Sequence, residues 1–355
     1  MTLLWTVLVA FLVATTLLLV LRPVAVVVGL LDHPSGHKQH VGPVPVIGGV
    51  AMLGGLVVAY GSDGALGAHG LMLLLTAAFV VVLGMVDDRY TLTPSVRLVG
   101  QLLVAMLLIY TTGFQVHDLG NLLGTGPWLL GDFSWLFTVL AILALINAFN
   151  MLDGLDGLAG GAAVCAFTGL LLLALAQDVV RVLVVCSAMV GALLAFLMFN
   201  VPTRYNRSVR TFMGDAGSTL LGFLLAAVAL TLVQPSTGSI PPAAILWVMP
   251  IPIFELFTST VRRLWQRKSP LAADNGHFHH RLQQAGFSER AVFLVYFAFS
   301  ASSVVVATAA SACSLPAAVM FIGFLGLFAL WLAGMRAVPW LGANLPAGLR
   351  GEPQR

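Results

Sequence analysis

Eleven apolar stretches, each close to the roughly 20 residues that an α-helix needs to cross the hydrocarbon core of a bilayer, leave this chain few choices of fold. They lie near 3–21, 45–61, 70–86, 98–113, 135–149, 159–176, 182–199, 216–233, 242–260, 291–311 and 316–334. With 59% of 355 residues hydrophobic, only 9% charged and a mean hydropathy of +0.99, the composition excludes an ordinary soluble domain. Backbone polar groups in lipid must be satisfied within the segment, so such stretches form helices. The expectation is an all-α integral membrane protein of about 11 transmembrane helices, with residues 1–355 forming one polytopic domain. The first stretch has no basic region before it and no small-residue cleavage site, and reads as a retained helix.

Basic residues accumulate in cytoplasmic loops. With the N-terminus outside, alternate loops hold Arg22, Lys38, Arg89, Arg97, Arg204, Arg207, Arg210, Arg262, Arg263, Arg267, Lys268, Arg281, Arg290, Arg336, Arg350 and Arg355, and only Arg181 falls on the outer face. A wrong number of spans would scramble that asymmetry, so it also supports an odd count and a cytoplasmic C-terminus. The net charge of +3 reflects this topology and gives no reason to expect nucleic acid as a partner. Cys165, Cys186 and Cys313 sit within or at the ends of apolar stretches without metal-ligand spacing, and read as inert buried thiols.

Nearly all unusual polar residues then fall on the cytoplasmic side, in loops near 32–49, 87–97, 147–161, 200–218 and 262–290. Ionisable groups at a bilayer edge are expensive unless a partner neutralises them, so each loop is a candidate site. The first, with Asp32, Lys38, His40, Pro43, Pro45 and Gly48-Gly49, is either a charged connector or a place where Lys38 and His40 meet a bound anion. Asp87 and Asp88 are adjacent carboxylates that repel unless a metal, a lysine or an incoming proton intervenes; the plain alternative is a solvated turn paired with Arg89.

Asn147, Asn150, Asp153 and Asp156 lie three apart. On a continuous helix each such step drifts by about 60°, so the four could not face one ligand. The two Asp-Gly pairs predict that the helix ends near Asn150 and that the chain turns, letting Asn150, Asp153 and Asp156 converge. Asp215, between Gly214 and Gly217, is either a helix N-cap or an oxygen ligand of a hard cation such as Mg²⁺. His277, His279, His280 and Arg281 suit a metal-bound diphosphate better than zinc, since no cysteine accompanies them.

Taken in order, Pro43-Val-Pro-Val-Ile-Gly-Gly49, Asp87-Asp-Arg89, Asn147-Ala-Phe-Asn-Met-Leu-Asp-Gly-Leu-Asp-Gly-Leu158, Phe212-Met-Gly-Asp-Ala-Gly-Ser218 and His277-Phe-His-His280 resemble the polyprenyl-phosphate N-acetylhexosamine-1-phosphate transferases over essentially the whole chain. The resemblance implies transfer of a sugar 1-phosphate from a UDP-N-acetylhexosamine, most simply UDP-GlcNAc, to undecaprenyl phosphate or another polyprenyl phosphate. UMP is released and a cell-envelope glycan such as O-antigen or teichoic acid is begun. It further implies Mg²⁺ (with Mn²⁺ as a substitute) on Asn150 and Asp215, and Asp87 and Asp88 as the catalytic acidic pair. Asp153 and Asp156 would lie near the nucleotide, Phe212 against the uracil, and His279, His280 and Arg281 around the diphosphate. The implied setting is a bacterial cytoplasmic membrane with the site on the cytoplasmic face, and a homodimer is implied as well. Glu255 stands where many relatives carry Asp. The Pro-Val-Pro-Val-Ile-Gly-Gly loop differs from the Thr-Pro-Thr-Met-Gly-Gly of the phospho-MurNAc-pentapeptide transferases, the alternative substrate branch. A transporter would need ionisable groups near the midplane, where only Glu255 is a candidate.

Overall fold

The computed structural model describes residues 2–32, 42–62, 67–202, 210–236, 240–269, 276–343 and 349. Lys38 and His40 lie outside them. The helices are α1 (Leu3–Val20), α2 (Arg22–Val28), α3 (Gly48–Ser62), α4 (Ala68–Tyr90), α5 (Pro94–Thr112), α6 (Ser134–Leu152), α7 (Leu158–Leu175), α8 (Val180–Asn200), α9 (Gly214–Leu232), α10 (Pro242–Val248), α11 (Pro250–Trp265), α12 (Phe278–Gln284), α13 (Glu289–Ala312) and α14 (Ala317–Ala343). Two short strands, β1 (Leu31–Asp32) and β2 (Val44–Pro45), pair antiparallel with Leu31 opposite Pro45.

Among the described residues nine helices are long and apolar enough to span a membrane: α1, α4 to α9, α13 and α14. Two of the eleven expected stretches take other forms. The segment expected at 45–61 is the 15-residue α3, about 22 Å long at the α-helical rise and so shorter than a typical hydrocarbon core. The segment expected at 242–260 breaks into α10 and α11, which meet at 90°. Pro250 and Pro252 are the cause: Pro250 has no N–H to continue the ladder of α10 and instead opens α11, while Met249 leaves the helical region at φ −135°, ψ 55°.

Helix α9 runs through the middle of the bundle, with 89% of its apolar window buried. Helices approach it closely because glycines stand at the crossings. A Cβ on Gly84 of α4 would fall 2.3 Å from Ala216 Cα, and one on Gly222 of α9 would fall 2.5 Å from Ile146 Cα of α6. Small residues let backbones meet where no hydrophobic effect drives helices together in lipid. These crossings bring the C-terminal ends of α4 and α6 to the N-terminal end of α9, so that Asp87, Asp88, Asn150 and Asp215 share one end of the bundle.

The loops at that end are tied by backbone bonds. Phe212 N–H donates to Pro45 O at 2.9 Å, and Gly48 N–H to Phe212 O at 3.0 Å, so the first loop and the entry to α9 run side by side. All three cysteines are free; Cys165 and Cys186 are buried, as expected, but Cys313 is exposed because it follows the last turn of α13.

Candidate active site

The N-terminus of α9 is capped from another helix. Asp88 Oδ1 accepts the Asp215 N–H at 2.8 Å and Oδ2 accepts the Ala216 N–H at 3.2 Å. Such a carboxylate satisfies otherwise orphaned N–H groups and complements the positive end of the helix. Gly214 makes room for it with φ +70°, and a Cβ there would lie 2.6 Å from Asp88 Oδ2. Asp215 is therefore not the N-cap: it sits in the first turn, with its side chain 30% exposed.

Asp215 Oδ1 accepts from Asn150 Nδ2, and the same Nδ2 reaches Ser218 Oγ at 3.1 Å. Asp87 turns away from Asp88. Its Oδ1 accepts the Leu92 N–H at 2.8 Å, and its Oδ2 is 3.2 Å from Arg97 Nη1. Arg97, at the start of α5 and 36% exposed, also brings Nη1 to 3.9 Å from Asp215 Oδ2. The adjacent acids of the sequence thus take different partners, one a helix N-terminus and one a guanidinium. Arg97 was not among the residues singled out from sequence, where it was one basic residue among many on the side expected to be cytoplasmic. Among the described residues no group of three or more His, Cys, Asp or Glu side chains converges as a metal cage.

Helix α6 continues past Asn150 to Leu152, and the turn comes at Asp153 to Gly157, where Gly157 takes φ +78°. Asn150 and Asp156 consequently take different partners, and the expected convergence of Asn150, Asp153 and Asp156 is corrected to that extent. Asn150 faces α9, whereas Asp156 pairs with Arg210. The Arg210 guanidinium lies 5.1 Å from the centre of the half-buried Phe212 ring, and burial lowers its pKa from the ordinary arginine value, partly offset by Glu289. Asn200 locks this corner: its Oδ1 accepts the Gly157 N–H at 2.6 Å and its Nδ2 donates to Thr211 O at 3.0 Å. The only sequence signal for Asn200 was an amide closing an apolar span.

His277 faces inward, its Nδ1 3.2 Å from Glu255 Oε2. Glu255 is thus bound within the protein and contacts His277 and Phe278, which removes the one group the sequence offered for transport at the midplane. His279 is 1% exposed and, among the described residues, neither ring nitrogen has a hydrogen-bond partner. A Cβ on Gly154 would stand 2.8 Å from His279 Nε2, which places that ring against the turn carrying Asp153. Burial, with His280 and His277 adding to it, pushes the His279 pKa down to about 2, so the ring is neutral. The His280 ring is 4.2 Å from that of His279, and Arg281 is half-buried on α12.

These groups form a face of carboxylates, an amide oxygen, two arginines and buried imidazoles at one end of a membrane bundle, suited to charge neutralisation between anions. Comparison with known proteins fits that chemistry. The profile of glycosyl transferase family 4 matches residues 70–233. The chain is 33% identical over 322 residues to the undecaprenyl-phosphate alpha-N-acetylglucosaminyl 1-phosphate transferase of Salmonella typhi, covering 90% of this chain and 88% of that protein. It is 34% identical over 320 residues to the protein of that name from Pasteurella multocida, covering 90% of each. With its counterpart in Escherichia coli K12 it shares 32% over 285 residues, covering 80% of this chain and 77% of the relative.

Proposed function

This chain belongs to the polyprenyl-phosphate N-acetylhexosamine-1-phosphate transferase family, and on that premise we propose that it transfers GlcNAc 1-phosphate from UDP-GlcNAc to undecaprenyl phosphate with release of UMP. A phosphate oxygen of the acceptor forms a new P–O bond to the sugar-bearing phosphorus of the donor, and the bond from that phosphorus to the UMP oxygen breaks. A phosphate monoester is already mostly dianionic at neutral pH, its second pKa being near 6. The protein's task is positioning and charge neutralisation more than proton removal.

The observation that carries this reading is the presentation of Asp215 at the N-terminus of α9, held by Asp88 below and Asn150 beside it. Hard oxygens of this kind, one carboxylate and one amide, suit Mg²⁺, which commonly takes one or two protein oxygens and completes its shell with water and substrate phosphate. Amide oxygen and nitrogen are interchangeable by a flip, so Asn150 can turn its oxygen to a shared cation. Magnesium held there, or manganese in its place, would neutralise the donor diphosphate as negative charge accumulates. Arg97, held by Asp87, meets the acceptor phosphate. Phe212 offers its ring to the uracil, with Asp153 and Asp156 on the turn beside it. His279, His280 and Arg281 face the diphosphate, and Lys38 and His40 belong to the anion-binding set.

The chain in this reading crosses a bacterial cytoplasmic membrane eleven times, α3 and the bent α10–α11 pair included. Its N-terminus is outside, its C-terminus is in the cytoplasm and the site lies on the cytoplasmic face. A second copy of the chain is a partner on family resemblance alone. Purified protein with Mg²⁺, undecaprenyl phosphate and a panel of UDP-sugars tests the reaction. Release of UMP only with UDP-GlcNAc, acceptor and metal together is expected. Release of UMP from no donor, or undiminished release in chelator, overturns the reading.

A further inference from the structure

Glu255 lies in the second turn of α11 after the Pro250 break, 1% exposed, with both carboxylate oxygens engaged. Oε1 accepts the Tyr296 hydroxyl at 2.7 Å and the Phe278 N–H at 3.0 Å. Oε2 stands 3.2 Å from His277 Nδ1, which also lies 3.2 Å from Ser259 Oγ. Phe278 is the first residue of α12, and His277, at the N-cap position, makes no side-chain capping bond of its own. A carboxylate on α11, the helix just before it, therefore does the capping.

Seven residues are too few for a helix to hold itself in place, since nucleation is unfavourable and only tertiary contacts repay it. The ring of Phe278 packs with its centre 4.5 Å from that of Trp331, and Glu255 holds the backbone N–H of the same residue. The rotation of α12 so defined stacks the His277 and His279 rings, 5.5 Å apart and 3° from parallel, and sets His279 against the Gly154 turn. A buried ion pair is in itself weak evidence for stability, because desolvation offsets the attraction. A carboxylate on one imidazole nitrogen has a second consequence: it keeps the proton on Nδ1 and decides what Nε2 presents.

We propose that Glu255 is a positioning residue for the transfer, holding His277 as the Nδ1–H form and capping α12 so that His279 and His280 are aligned with the turn after α6. The proposal rests on the transferase reading, and its test is separable from that reading. Glu255→Gln keeps an oxygen for Phe278 and Tyr296 but cannot accept from His277 Nδ1–H, so it isolates the histidine arm. The expected result is a kcat lower by about 10- to 100-fold, the usual cost of losing such a supporting contact, with KM for both substrates within about twofold. In a His277→Gln background the same change should add less than about threefold, as expected for residues acting through one another.

Wild-type kcat in Glu255→Gln, or fully additive losses in the double variant, overturns the proposal. Amide hydrogen exchange over residues 278–284 gives an activity-independent reading: Glu255→Ala should speed exchange there, and unchanged exchange removes the capping role. If Glu255→Ala does not insert, the Gln cycle decides alone. Should wild-type protein release UMP from no UDP-sugar, the transferase reading fails while the exchange experiment still reports on the brace.

Discussion

Asp88 and Asp215 are bound to each other through the backbone: the carboxylate of the first accepts the N–H of the second at 2.8 Å. This one contact couples the end of α4 to the beginning of α9 and explains why acids on two separate helices sit in one place. Asp88 is occupied by the helix terminus, which leaves the Asp215 side chain to face outward. In Asp88→Ala the α9 terminus loses its acceptor, and loss of a cap typically costs about 0.5–2 kcal/mol. We expect a lower melting temperature together with a fall in kcat, and Asp88→Asn, which keeps one acceptor oxygen, should recover part of both. Thermal unfolding and UMP release of the two variants check this; an unchanged Asp88→Ala protein would contradict it.

Arg97 bridges Asp87 at 3.2 Å and Asp215 at 3.9 Å. A guanidinium that exchanges a carboxylate for an incoming phosphate should matter more to acceptor than to donor. Arg97→Ala is expected to raise KM for undecaprenyl phosphate by about tenfold or more, the scale of one charged hydrogen bond lost, with a smaller change for UDP-GlcNAc. Arg97→Lys restores charge without the planar fork and should recover only part. Equal effects on the two substrates would argue against this assignment.

Gly154 has no Cβ because the His279 ring occupies that space. Gly154→Ala forces Nε2 away from a contact of 2.8 Å, and overpacking of this kind costs on the order of 1–3 kcal/mol. The expected outcome is a reduced kcat with the protein still inserted. Steady-state rates alongside a melting curve would show it, and a wild-type rate would mean that the ring can move freely.

The His279 pKa is pushed down to about 2 by burial, well below the ordinary 6.5. Its neutral form is favoured in the fold, so between pH 6.5 and about 2 the unfolded chain binds the extra proton. The corresponding stability is complete above pH 6.5 and drains as the solution is acidified, by at most about 1.4 kcal/mol per pH unit for one group. Melting temperature should therefore fall on acidification, and less steeply in His279→Gln. Parallel slopes for the two proteins would be the contrary result.

Much of the site was legible in sequence because acids and amides in an apolar chain have few reasons to be there. Asp87, Asp88, Asn150 and Asp215 stood out on that ground, and the structure gathers them at one end of the bundle. Less legible was what each one touches. Asn150, Asp153 and Asp156 looked like one convergent set because two Asp-Gly pairs promise a turn there, yet Asn150 bonds to Asp215 while Asp156 pairs with Arg210. Arg97 and Asn200 gave no local signal, since their partners are ten and eleven or more residues away along the chain.

Sequence by itself determined the helical membrane fold, since hydrocarbon permits an apolar segment little other than an internally bonded helix, and it pointed to the ends of the helices for the chemistry, since charge is costly within the hydrocarbon. Tertiary structure alone decided that Asp88 caps α9, that His277 turns inward to Glu255 and that Pro250 bends a span through 90°. Those outcomes depend on which backbones can approach one another at Gly84 and Gly222, and on hydrogen bonds between residues far apart along the chain. No local pattern of residue types encodes such meetings.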